Sequence, residues 1–457
     1  MLHEALVVAL QRSPWILFLI PFWLLRGRAA LKRELALRSE LSAAHLPYRA
    51  EVLDWVRGEH DAGRRVVLAT AADEGIARRV AAHLGAFDEV LASDGVRNVK
   101  GEGKRAALVE RFGERGFDYA GDAFADLGVW ASARCAIVVS SDPRLLAAAS
   151  RSALQARQIP VASPGWSAAL RAIRVQQWPK NLLVFVPLLT AHKTGDPAAV
   201  AAAVTCLVAF CLVASAIYIA NDVLDLASDR AHPVKRSRPF AAGDLPVAWA
   251  FALVPLLIAA ALAVAWANSP ALAAVVASYA VVGLAYSLRL KRWALVDVLV
   301  VAGLYSLRIF GGAVAIDVPL SDWLLGFSMF IFISVALAKR HAELRRSRAE
   351  GSDEGERVPG RGYRPADLPF IATLGVATGL MSVAVFALYI TGADVTVLYA
   401  RPHLLWADAI LILYWISRIW MLAQRGMLGE DPLSFALRDR VSYMVGGLMV
   451  LVVYLAT

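Results

Sequence analysis

From residue 166 onward the chain consists mostly of long uncharged apolar runs, and this limits what it can fold into. A bilayer core of about 30 Å takes roughly 20 residues of apolar helix, a form that satisfies its own backbone hydrogen bonds. Nine candidate spans are read near residues 182–192, 198–220, 249–267, 271–288, 294–315, 321–338, 368–391, 404–423 and 441–456. The first and last are short for a crossing. Composition agrees: 58% of residues are hydrophobic, 19% are charged, and mean hydropathy is +0.55. A globular protein of 457 residues cannot hide so much apolar surface, so lipid is part of the solvent. Disorder, a collagen-like fibre and a disulfide scaffold are excluded. Cys135, Cys206 and Cys211 include no C-x-x-C pair, which leaves neither a zinc site nor a disulfide framework.

Charge sets the expected topology. The segments 166–181, 221–248, 289–292, 339–366 and 424–440 carry 21 Lys and Arg, whereas Lys193 and Arg401 stand alone on the opposite side. This bias puts the N-terminal part and the basic loops in the cytoplasm and the C-terminus outside, in a multi-pass protein of the cytoplasmic membrane. The same loops account for the net charge of +9 and the pI near 9.6, so no nucleic-acid partner is expected.

Residues 1–165 read differently, with 22 Lys/Arg and 19 Asp/Glu spread through them. They are expected to form a soluble α/β domain, separated from residues 166–457 near 159–165, where Pro160, Ser163, Pro164 and Gly165 interrupt helical patterns. The apolar stretch 13–25 is too short to span and contains Pro21. Arg26, Arg28, Lys32 and Arg33 follow it in place of a cleavage site, so a helix on the membrane or against its own domain is expected. Short apolar segments at 65–70, 89–92, 117–120 and 136–140 alternate with helical stretches, which predicts a mostly parallel sheet.

The densest chemistry lies where the second run ends. Asn221, Asp222, Asp225 and Asp229 form N-D-x-x-D-x-x-x-D at the cytoplasmic end of a span. Helical steps of three and four put the three aspartates on one face, where they repel unless a cation lies among them. Hard oxygen ligands with room for phosphate suit Mg²⁺, the one cofactor expected. Lys235, Arg236 and Arg238 follow, cations for the phosphate oxygens that a metal leaves uncovered.

This segment resembles the UbiA superfamily of intramembrane prenyltransferases, whose first aspartate motif has this spacing and binds Mg²⁺-diphosphate. The resemblance covers about 166–457. Arg174, Gln177, Trp178, Lys180 and Asn181 look like the family's segment before the first span, and Tyr286, Ser287 and Lys291 like the motif after the fourth. Quinone-type members carry a second D-x-x-x-D after the sixth span; here Lys339, Arg340 and Glu343 stand there as K-R-x-x-E. That stretch, with the ending from Asp431 to Asp439 and Arg440, looks like the decaprenyl-phosphate phosphoribosyltransferase branch. The resemblance implies a polyprenyl lipid substrate, a diphosphate-bearing donor and Mg²⁺. A Lys-Arg pair in place of two carboxylates suits an anionic acceptor. Prenyl transfer from a polyprenyl diphosphate to an aromatic acceptor stays open, as does, from another class, a multi-pass transporter with a regulatory domain. Oligomeric state is open too, a homo-oligomer included.

Two cations fall inside spans, and each needs a partner or an anionic ligand. Arg308 lies eleven residues after Asp297, which allows an Asp–Arg pair or a phosphate contact; Arg418 is expected to snorkel to the interface. His232 and His341 are expected to line the site.

The first 165 residues resemble a haloacid-dehalogenase-like (HAD) domain. Thr70 at a strand end, Lys100 in NVKGEGK, and Asp122 with Asp126 in YAGDAFAD follow the order of that family's later motifs, although a loop-to-helix capping pair is the alternative for the two acids. No D-x-D precedes Thr70, so covalent phosphoryl transfer has no nucleophile and no phosphatase activity is expected. The expected cause is a true start upstream of Met1, the alternative a domain degenerated into a scaffold. The charge bias yields a direct test: reporters fused in the 339–366 loop and after Thr457 should report opposite sides of the membrane, and a shared side would refute the topology.

Overall fold

The computed structural model describes every residue except 1, 14, 40, 162–165, 350, 352, 354, 356, 359, 393, 394, 396, 397, 429–431 and 437. The chain divides into two compact units, residues 1–172 with 222–251, and residues 173–221 with 252–457. The segment carrying the aspartate motif thus packs with the N-terminal part, where the sequence reading had drawn one cut near 159–165. Ser163, Pro164 and Gly165 of that cut lie outside the described residues.

In the first unit, helices α1 (Leu2–Arg12), α2 (Ile16–Leu25) and α3 (Arg28–Arg38) share a small core of Ala5, Ala9, Ile16, Trp23, Leu31 and Leu35. The apolar stretch 13–25 therefore packs on its own domain through Ile16 and Trp23. Because it is apolar all round, it also leaves Trp15, Phe18, Phe22 and Leu25 exposed. Beyond α3 come strands β1 (Val67–Asp73), β2 (Glu89–Ser93), β3 (Asp118–Gly121), β4 (Cys135–Val139) and β5 (Gln155–Ile159). Every pairing is parallel, as the strand–helix alternation demands. The strands form two small sheets, β1-β2 and β3-β4-β5, where one had been expected. β4 is buried at every position between its neighbours, against Leu108, Trp130, Leu145 and Ala149. The sequence pattern missed β5, because Gln-Ala-Arg-Gln-Ile is a polar, largely exposed edge strand.

The second unit is helical. Among the described residues, seven helices are long and apolar enough to cross a membrane: Pro197–Leu224, Val247–Asn268, Pro270–Leu288, Val296–Ala315, Asp322–Ala349, Pro365–Ile390 and Pro402–Gln424. A shorter apolar helix, Arg440–Ala456, follows them. The chain turns between two of them at Ser269, whose hydroxyl accepts the Leu272 N–H at 3.1 Å while Pro270 opens the next helix. The nine spans expected from sequence are corrected at the last, where Arg440–Ala456 falls short of a crossing length, and at the first. Residues 182–192 are no continuous helix but the end of a 3₁₀ segment, Val175–Phe185, followed by one short turn, Val186–Thr190. Pro179 and Pro187 explain the break, since each removes a backbone donor that a long α-helix would use.

Close packing joins three of these helices. The Trp420 indole N–H donates to Ser334 Oγ at 2.9 Å, and that hydroxyl donates to the Gly375 carbonyl at 2.7 Å. A Cβ on Gly375 would run into the Trp420 ring. Gly375→Val should therefore lower stability by about 1–3 kcal/mol, the usual cost of overpacking a tight contact. Its measurement is the thermal unfolding midpoint of the protein in detergent, with Gly303→Val, where a Cβ meets nothing, as the control.

Candidate functional site

The aspartate motif sits where the helix Pro197–Leu224 ends. The sequence reading placed Asp222, Asp225 and Asp229 on one continuous helical face. The structure breaks the helix at Asp225 and resumes it as the short turn Leu226–Ala231. Aspartate is a poor helix former that competes for local backbone groups, which suits it to such a break. The Asp229 N–H still reaches the Asp225 carbonyl at 2.8 Å, so the turn stays in register. Asp222 and Asp229 are buried, and both accept from one nitrogen: Arg238 Nη1 stands 3.2 Å from Asp222 Oδ1 and 2.6 Å from Asp229 Oδ2. Burial pushes the Asp229 carboxyl upward, and Arg238 opposes that shift.

This geometry tests the fit of a metal. Among the described residues no three Asp, Glu, His or Cys side chains are gathered closely enough to hold one. Two carboxylates do converge on a single cationic nitrogen, and Mg²⁺ commonly takes one or two carboxylates and completes its shell with water and substrate phosphates. The donor set fits such an ion, with Arg238 in its place. Lys235 and Arg236 lie in the short 3₁₀ turn Lys235–Ser237, and the ring of His232 accepts the backbone N–H groups of Val234 and Lys235, a capping role.

In the second unit, Lys291 is buried and donates to Asn221 Oδ1 at 3.1 Å. Lys180 and Asn181 are buried in the 3₁₀ segment; Trp178 donates to Ser215 Oγ at 3.1 Å, and the Arg174 guanidinium lies 5.3 Å from the Tyr218 ring centre. Asn181 meets Arg308, whose Nε donates to its Oδ1 at 2.7 Å. Arg308 also donates to the Tyr279 hydroxyl at 2.6 Å and to the Leu304 carbonyl at 2.8 Å. The Asp297–Arg308 pair that spacing allowed does not form. Eleven residues face the same way but rise about 16 Å along a helix, beyond the reach of either side chain.

Asp297 pairs instead with Arg340, whose Nε lies 2.6 Å from its Oδ2. Arg340 also pairs with Glu343 and donates to the Tyr286 hydroxyl at 3.3 Å. Tyr363 donates to Asp297 Oδ1 at 2.5 Å, and Arg361 donates to Tyr286 at 3.2 Å. The K-R-x-x-E stretch lies on the helix Asp322–Ala349, so Arg340 and Glu343, three apart, share a face. Arg340 was expected to meet an anionic acceptor, yet its guanidinium is committed to two carboxylates. Lys339 and Arg361 act electrostatically on Tyr286, the hydroxyl that Arg340 also reaches. Arg361 and Tyr363 were missed because nothing in a basic loop distinguishes the two residues that fold back. Arg418 finds a partner, its two terminal nitrogens pairing with Asp439 at 2.7 and 3.0 Å. His341 is buried against the Trp420 ring, and Asp431 of the C-terminal motif lies outside the described residues.

The HAD-type residues are placed as follows. Thr70 does not end its strand, since β1 runs on to Asp73, and its hydroxyl accepts the Ala72 N–H at 3.2 Å. Lys100 is exposed on the loop before Glu102. Asp126 accepts the N–H groups of Asp122 and Ala123 at 3.3 and 3.2 Å and the Tyr119 hydroxyl at 3.0 Å, which is the capping arrangement. The lysine that reaches this acid is Lys104, 3.8 Å from Asp126 and 2.6 Å from the Tyr119 oxygen.

Comparison with known proteins adds four findings. Residues 181–437 match the UbiA prenyltransferase family. An uncharacterized protein, y4nM, of Sinorhizobium fredii is 39% identical over 98% of this chain and 86% of its own length. The decaprenyl-phosphate phosphoribosyltransferase of Mycolicibacterium smegmatis is 36% identical over 60% of this chain and 87% of its own length. Among solved structures, a UbiA homologue from Archaeoglobus fulgidus bound to GPP and Mg²⁺ shares 16% identity, covering 63% of this chain and 99% of its own, with a TM-score of 0.48.

The Asp297–Arg340 pair generates a stability prediction. Arg340→Met strands a buried carboxylate and should cost about 3–5 kcal/mol, whereas the double variant Asp297→Leu with Arg340→Met should recover much of that loss. Thermal unfolding of both in detergent is the measurement.

Proposed function

This chain belongs to the UbiA prenyltransferase family of integral, multi-pass membrane proteins, and we propose that it transfers a phosphoribosyl group from phosphoribosyl diphosphate to a polyprenyl phosphate. The observation that carries this reading is the convergence of Asp222 and Asp229 on one cation at the end of an apolar helix. The name of the Mycolicibacterium relative, a decaprenyl-phosphate phosphoribosyltransferase, supports the transferred group and the acceptor. Family membership leaves the transporter reading without support.

In this reading Asp222 and Asp229 would hold Mg²⁺ directly, and Asp225 of the same motif would serve the ion's water shell. The metal, when bound, supplies Lewis-acid neutralisation of the leaving diphosphate. Arg238, released from the two carboxylates, serves phosphate oxygens together with Lys235 and Arg236. Positive charge develops at the ribose anomeric carbon as the diphosphate departs, and the acceptor phosphate oxygen attacks it. Apolar walls keep water from intercepting the electrophile. Asn181 holds Arg308, a buried cation whose hydrogen bonds go to neutral groups only, so an anionic ligand would offset its cost in the membrane. Lys339, Tyr286 and Arg361 attend the acceptor, and the Arg340–Glu343–Asp297 pairing keeps them in place. The N-terminal part and the basic loops face the cytoplasm and the C-terminus lies outside.

Residues 1–165 form, in this reading, a HAD-like domain without phosphatase activity. The all-parallel strands support the likeness, and the engagement of Asp126 in its own turn supports the inactivity.

Asp225→Ala should abolish Mg²⁺-dependent turnover in membranes without changing the unfolding midpoint. Mass spectrometry of the lipid product should show phosphoribosyl addition when phosphoribosyl diphosphate and polyprenyl phosphate are supplied. Product formed only from polyprenyl diphosphate and an aromatic acid would establish the other transferase reaction instead.

A further inference from the structure

The turn that carries Asp229 is held by a residue far away in sequence. Arg230 follows Asp229 directly, and its side chain is nearly inaccessible to solvent. Its Nε donates to the Ala241 carbonyl at 3.2 Å, and its Nη2 donates to Glu4 Oε1 at 2.8 Å. Glu4 belongs to α1, and the other oxygen of its carboxylate, Oε2, is buried with no hydrogen-bond partner. Burial alone would push the Glu4 carboxyl upward; the hydrogen bond and charge of Arg230 outweigh this and hold it below the ordinary value. The ring of the neighbouring His3 lies 5.8 Å from Phe251. α1 is itself fixed, with Ala5 and Ala9 in the core it shares with α2 and α3.

A buried ion pair of this kind does little for stability, because desolvating both charges offsets most of their attraction. Its geometric effect is larger. Arg230 is pinned at both ends, to residue 241 across its own loop and to α1. The backbone next to Asp229 is therefore held by Arg230, independently of the Arg238 contact to the Asp229 side chain. Freed from Glu4, Arg230 would be a buried cation adjoining the motif, with the motif's own aspartates as carboxylates close to it in sequence. It would then compete for the oxygens that a metal needs.

We propose that Glu4 is a positioning residue for the aspartate motif: through Arg230 it keeps Asp229 oriented and unpaired from a second cation, and so makes metal binding depend on helix α1. The inference rests on the reading of the motif as a metal-diphosphate site. It extends that reading to a control element from the N-terminal unit.

The test is Mn²⁺ binding to the full-length protein in detergent, titrated by electron paramagnetic resonance with no substrate present. Glu4→Ala should weaken Mn²⁺ binding about tenfold, the lower range for losing a residue that orients a metal ligand. Glu4→Asp, which keeps a carboxylate, should recover most of the affinity. Leu6→Ala loosens the packing of the same helix without touching the ion pair, and should bind Mn²⁺ as the parent does. Parent-like affinity in Glu4→Ala, with Asp225→Ala losing the ion, would overturn the proposal while leaving the metal site intact. An equal loss in Leu6→Ala would overturn it too, by showing that only the fold of α1 matters. A parent protein that binds no Mn²⁺ would bring down the metal reading and this proposal together.

Discussion

The Asp297–Arg340 ion pair is the contact on which the polar end of the second unit depends. Both side chains are buried, and removing either one would take an opposite charge away from the other. The pair joins the helices Val296–Ala315 and Asp322–Ala349, and Tyr363 and Glu343 take up further hydrogen-bonding capacity. Leu295 donates its N–H to the Tyr363 hydroxyl, so the loop after the long helix is fastened to the start of another. Tyr286 then accepts from both Arg340 and Arg361. One buried pair thus fixes where four further polar side chains stand.

The same rule, that a buried charge must be matched, separates the remaining cations by role. Arg418 is matched by Asp439, which also caps the last helix through the Ser442 N–H, so this arginine is structural. Arg238 is matched by two aspartates that each serve another purpose in the proposed reaction. Arg308 has only amide, carbonyl and phenol oxygens and the faces of Tyr279 and Tyr305 around it. Its charge is solvated without being neutralised, which sets it apart from the other two.

Helix placement was legible because a 20-residue uncharged run has few alternatives in lipid. The run at 182–192 misled because apolar composition says nothing about Pro187, which divides it, or Pro179 just ahead of it. Strands β1 to β4 were legible as short apolar segments, whereas β5 presents a polar edge that no alternation rule detects. Within the site, the aspartate motif could be read because its residues are close in sequence. Its break at Asp225 could not, since spacing gives angular position on a helix and not whether the helix continues. The partner of Asp297 was misassigned for a related reason: Arg340 lies 43 positions away, and only the packing of two helices brings them together. Glu4, 226 positions from Arg230, is the extreme case.

Helix α2 has a consequence for anyone handling this protein. Its outer face offers Phe18, Phe22 and Leu25 to the surroundings, with Trp15 just ahead of it, in a unit otherwise built like a water-soluble α/β fold. Cut away from the membrane helices, that unit would carry a sticky apolar patch of its own. A fragment ending near residue 165 would aggregate or demand detergent, so the boundary between soluble and membrane biochemistry does not follow the boundary between sheet and bundle.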